Sequence, residues 1–99
     1  MTVHHLDEVL DRKAATAPLG PVQRAVLETL AGHGGLTAAR LAEHLGCERS
    51  AADQSLRTLR GRMLIRVAEY QRRAGKSAGV YVITTTGRTA LAAATREAG

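Results

Sequence analysis

Residues 36–60 read LTAARLAEHLGCERSAADQSLRTLR, and this stretch decides the fold. Thr37 is placed to cap a helix in which Leu41, Ala42 and Leu45 fall on one side, and Gly46 supplies the left-handed residue that ends it. The short turn Gly46-Cys47-Glu48 follows at once, and a second helix is expected over residues 49–60. At about 100° per residue from Arg49, the side chains of Ala52, Leu56, Leu59 and Met63 fall between about 280° and 340°. Arg49, Ser50, Asp53, Gln54, Arg57 and Arg60 fall between about 0° and 140°. One face of this helix is apolar and the opposite face is polar and mostly basic.

Upstream, Pro21 suits a first helical position because its missing N–H would be unpaired there in any case. A helix from Pro21 to about Ala31 would bury Val22, Val26, Leu27 and Leu30 and stop at Gly32-His33-Gly34-Gly35. Earlier still, Val3, Leu6 and Leu10 have helical spacing, which predicts an amphipathic helix over residues 3–15 within an N-terminal segment 1–17. Downstream of Met63 the period changes from helical to alternating. Residues 64–70 and 80–84 are rich in β-branched and aromatic side chains, which predicts a β-hairpin whose long tip, residues 71–79, carries Arg72, Arg73 and Lys76. Thr84 or Thr85 can cap a last helix over 85–97, with Leu91 and several alanines on its inner face. The expected fold class is mainly α with a small β-hairpin (α+β), as a single domain over residues 1–99.

Two helices joined by a short glycine-bearing turn, the second with a polar face, make a helix-turn-helix, which presents its second helix to the major groove of DNA. The order helix, helix-turn-helix, hairpin, helix resembles the winged-helix family over about residues 21–92. The resemblance is carried by Leu36-Thr37, Leu41-Ala42-Glu43-His44-Leu45-Gly46, Leu56-Arg57-Thr58-Leu59 and Leu64-Ile65-Arg66. The run Tyr81-Val82-Ile83-Thr84-Thr85-Thr86-Gly87-Arg88, with Leu91 beyond it, is similar to the exit from the wing in MarR-like and PadR-like regulators. The resemblance implies a wing at residues 71–79 on the DNA backbone or in the minor groove. It also implies a homodimer formed through the outer helices 3–15 and 85–97. The chain departs from the family pattern at three places. Glu48 stands at the capping position where Ser or Thr is usual, Met63 stands where a glycine usually ends the recognition helix, and Asp53 is acidic on the reading face. Gly61 is expected to serve the helix-ending turn instead.

Charge agrees with a polyanion partner. The chain has 14 Lys and Arg against 9 Asp and Glu, a net charge of +5. Residues 1–56 hold five basic and seven acidic side chains (net −2), and residues 57–99 hold nine basic and two acidic (net +7). The N-terminal side chains of a recognition helix reach base edges, so Arg49, Ser50, Asp53 and Gln54 are the candidate readers. Arg can fork onto guanine, Gln onto adenine, and Asp can accept from a cytosine amino group. Arg57, Arg60, Arg72, Arg73 and Lys76 are the candidate phosphate contacts. The expected function is a double-stranded DNA-binding transcriptional regulator, a repressor acting on a roughly palindromic site. The alternatives are an adaptor whose winged helix binds another protein of the transcription or replication machinery, and an architectural or phage-type DNA-binding protein with weak sequence preference.

Other chemistries find little support in the residues. With no Phe or Trp and only Tyr70 and Tyr81, the chain lacks the stacking platforms that hold single-stranded nucleic acid. The lone Cys47 cannot form an internal disulfide and is expected to pack as a small apolar residue in the turn, in preference to a redox role at the helix start. His4, His5, His33 and His44 lack the spacing of a structural zinc site, so no metal or other cofactor is expected. No nucleophile with a matching base, paired carboxylates or phosphate-cradling loop points to an enzyme. No apolar run approaches the roughly 18–20 residues that cross a bilayer, and the expected location is cytoplasmic and nucleoid-associated.

Overall fold

The computed structural model describes residues 18–98, so the helix expected over residues 3–15 lies outside the described residues. Helix α1 (Pro21–His33) leads to a two-residue strand β1 (Leu36–Thr37), and this to the short helix α2 (Ala38–Leu45). Helix α3 (Arg49–Gly61) follows, then the hairpin of β2 (Ile65–Arg73) and β3 (Lys76–Ile83), and helix α4 (Thr85–Ala98). The hairpin is antiparallel, and β1 adds to it as a third strand in the order β1-β3-β2, pairing Leu36 with Tyr81 and Thr37 with Val80. A pairing of two residues is too short to leave a periodic trace in the sequence, which by itself indicates only the hairpin.

The helices meet over one apolar core. Val26, Leu27 and Leu30 of α1, Leu41 and Ala42 of α2, and Ala52, Leu56 and Leu59 of α3 are buried together with Leu64, Ile65, Ile83 and Ala90. The inward residues read from the 100° spacing of α3 are thus in place as far as Leu59. Met63 is not: the helix ends at Gly61, and Met63 is 65% exposed with φ of 63°. Gly61 therefore lies inside the helix, and Met63 itself takes the left-handed position where the sequence led one to expect Gly61 to turn the chain.

Val22 also departs from expectation, at 57% exposed. The inward direction of α1, set by Val26, Leu27 and Leu30, passes through Gln23 rather than Val22 at 100° per residue. Gln23 Oε1 accepts a hydrogen bond from Arg62 at 2.9 Å, a polar tie between the start of α1 and the residue after α3. Helix α1 also runs two residues further than its composition indicates, through Gly32 and His33, before Gly34 closes it with φ of 74°. Core contact along α1 outweighs the cost of about 1 kcal/mol for one helical glycine.

Candidate nucleic-acid interface

The helix-turn-helix is built by two caps. Thr37 Oγ1 accepts from the N–H of Arg40 at 3.3 Å to start α2. Gly46 then takes φ of 65°, and the N–H of Cys47 donates to the carbonyl of Ala42 at 3.1 Å, closing a C-terminal cap of the Schellman type. The chain leaves this cap on the surface and Cys47 is exposed, contrary to its expected place as a packed apolar residue. Glu48 is the N-cap of α3 and makes no side-chain capping bond, so the first turn of α3 rests on packing and on the favourable placement of a carboxylate near a helix N-terminus.

On α3, Arg49, Ser50, Gln54, Arg57 and Arg60 are exposed and Asp53 is half-buried. This reproduces the polar face drawn from the sequence. Arg49 Nε and Asp53 Oδ1 are 3.5 Å apart, one helical turn from each other, with side chains 60% and 46% exposed. A pair this long and this wet contributes little to stability and opens readily toward a competing partner. Gln54 lies to one side of the face, where it lines a shallow groove with Pro21, Val22 and Thr58.

The hairpin differs from the long flexible tip expected over residues 71–79. Its ladder continues through Gln71 opposite Ala78, Arg72 opposite Ser77 and Arg73 opposite Lys76, leaving only Ala74 and Gly75 in the turn. Both turn residues have positive φ, 51° and 77°, the geometry of a tight hairpin turn that matches strand twist. Backbone pairing is indifferent to the polarity of exposed side chains, so the charged and small residues of 71–79 form strand without showing a strand's pattern. A bulge at Ala68, between the pairs Val67–Tyr81 and Glu69–Val80, breaks the alternation and adds local twist. Arg72 and Lys76 are exposed near the tip, and Arg73 pairs through its backbone.

The structure also brings in a residue that the sequence did not single out. Arg40, exposed on α2, lines a groove of about 770 Å³ with Arg72 of the hairpin, together with Thr37, Glu43 and Gln71. Two arginines from different elements thus line one open groove between α2 and the hairpin strands. The signal in the sequence was slight, since Arg40 is a single cation on a helix read only for its apolar side.

The exit from the hairpin is closely determined. Thr84 Oγ1 donates to the carbonyl of Met63 at 2.8 Å and accepts from the N–H of Gly87 at 3.0 Å, so Thr84 caps α4 and ties it to the end of α3. A Cβ at Gly87 would collide with the carbonyl oxygen of Leu64 and come within 2.7 Å of Ile83 Cγ1. This close approach is the physical content of the Thr84-Thr85-Thr86-Gly87 run.

A helix-turn-helix whose second helix keeps an exposed polar face, followed by a paired hairpin that joins a three-stranded sheet, is decisive. The fold is a winged helix-turn-helix. No family model matches the sequence and no curated protein matches it. Solved winged helix-turn-helix structures do match. A MarR family transcription regulator superposes with a TM-score of 0.68 at 22% identity, over 97% of this chain and 62% of its own. The YusO protein from Bacillus subtilis gives 0.67 at 19% identity, over 95% of this chain and 68% of its own. The PcaV transcriptional regulator from Streptomyces coelicolor, solved with its natural ligand, gives 0.68 at 19% identity, over 95% and 65%. The chain therefore spans between 62% and 68% of the length of these winged-helix proteins. Among the described residues no helix is long and apolar enough to cross a membrane.

Proposed function

We propose that this chain is a double-stranded DNA-binding transcription regulator that acts as a homodimer on a roughly palindromic site. Helix α3 enters the major groove, with Arg49, Ser50, Asp53 and Gln54 toward base edges and Arg57 and Arg60 toward phosphates. The hairpin bears Arg72, Arg73 and Lys76 onto the backbone or the adjacent minor groove. The single observation that carries this reading is the uncovered polar face of α3, in a chain whose hairpin exposes further cations and whose positive charge is concentrated after residue 56. The channel bordered by Arg40 and Arg72 supports a path for the sugar-phosphate strand between the two grooves. The long, exposed Arg49–Asp53 pair supports readout as well: Asp53 holds Arg49 on the face without committing it, and both groups can exchange their mutual contact for base edges. The dimer would form through residues 3–15 and 85–97, outside the helix-turn-helix.

The test is binding of the full chain to a pool of random duplex DNA at two salt concentrations, with sequencing of the retained fraction. The expected result is salt-sensitive retention with an enriched palindromic motif. Retention without enrichment would mean an architectural role, and no retention at either salt would favour a protein-binding adaptor.

A further inference from the structure

Two histidines eleven positions apart in sequence meet where α1 and α2 end. His33 lies in the last turn of α1 and His44 in the last turn of α2. Their rings are 4.2 Å apart centre to centre and tilted by 41°. Both are exposed, and they belong neither to α3 nor to the hairpin. We propose that His33 and His44 together chelate a divalent transition cation of the zinc class.

The chemistry of the donors and their spacing both support such a site. Neutral imidazole is a favoured ligand for zinc, copper and nickel ions, and a zinc-to-nitrogen bond is about 2.0–2.1 Å. Two imidazoles at tetrahedral positions on one ion then have ring centres about 5 Å apart. The observed separation of 4.2 Å is about 1 Å shorter, so the two exposed rings must turn slightly apart to share one ion. The backbones behind the rings are fixed by the core, where Leu30 is 1% and Leu41 0% exposed, so binding orders little beyond the two side chains. Each ring also stands at a helix C-terminus, where the free carbonyl ends carry partial negative charge and favour a cation. Among the described residues no group of three or more His, Cys, Asp or Glu side chains is gathered in position for a metal. The remaining coordination positions are thus left to water or to an outside donor, and the ion acts as a cross-link between the ends of α1 and α2.

The test is a zinc chloride titration of the full chain, without DNA, followed by the imidazole signals in long-range proton–nitrogen NMR spectra and by thermal melting. Two of the four histidines should shift together and saturate at one zinc per chain. Zinc at ten times the half-saturating concentration should raise Tm by about 6–11 °C. H33A and H44A should each melt like the parent without zinc and lose both effects, whereas C47S and the double variant H4A/H5A should keep them. Zinc effects that persist in H44A, that vanish in C47S or in H4A/H5A, or that never saturate would overturn the proposal. These readouts are independent of whether the chain binds DNA.

Discussion

Arg49 and Asp53 show what a single helical turn can prepare. The two side chains are partners at 3.5 Å, yet both remain substantially exposed, so each can leave the other for a stronger partner. If Arg49 and Gln54 read bases, replacing either by Ala should cost about 1–3 kcal/mol on the preferred site and relax specificity at one position. Binding isotherms on the selected site and on single-base variants measure this, and equal losses on every sequence would remove the base-reading role. Met63 is a second residue whose meaning is local. Its φ of 63° is costly for a residue with a Cβ, and its exposed side chain gains little from packing. M63G should stabilise the fold by about 0.5–1 kcal/mol, because the left-handed strain removed exceeds the added flexibility of the unfolded chain. A thermal melt should show Tm higher by about 3–6 °C.

At the scale of elements, the junction of β3 with α4 is the least tolerant place in the structure. Gly87 lies against the carbonyl of Leu64 and the side chain of Ile83, so G87A must push α4 away from the sheet. The expected destabilisation is about 1–3 kcal/mol, read as a lowered urea midpoint at unchanged slope. The hairpin and α2 make a different prediction, concerning electrostatics rather than packing. If Arg40 and Arg72 border the path of a DNA strand, R40A and R72A should weaken binding to all sequences alike. Each should also lower the slope of log K against log salt by about 0.9 for every phosphate that is no longer neutralised. An unchanged slope in R40A would take α2 out of the interface and leave only the hairpin and α3.

For the whole molecule, the question is how the chain assembles. The three solved winged-helix chains described above are longer, and this chain spans 62–68% of them. Leu91 on α4 is only half-buried against the core, and an outer helix with surface to spare can pair with a second copy. If residues 3–15 contribute to the dimer, sedimentation of a chain lacking residues 1–16 should show monomers where the full chain sediments as a dimer. A dimer that survives the truncation would exclude the N-terminal segment as its basis and leave α4.

The helix-turn-helix was legible in the residues because each of its signals is local. Thr37 caps, Gly46 turns left-handed, and Leu56 and Leu59 repeat at helical spacing whatever surrounds them. The polar face of α3 follows from the same periodicity, so the exposure of Arg49, Gln54, Arg57 and Arg60 could be read in advance. What the residues did not reveal depends on partners distant in the chain. The tie between Gln23 and Arg62 joins residues far apart in the chain, and the strand β1 existed only because β3 offered it an edge. The length of the hairpin rested on backbone pairing that side-chain pattern does not encode, and the left-handed turn fell to Met63 because α3 ran on through Gly61. The meeting of His33 with His44, and of Arg40 with Arg72, likewise required the helices and sheet to be packed first. Local sequence determines conformations whose energies are settled within a turn or two, and tertiary packing decides which side chains, far apart along the chain, come to share one site.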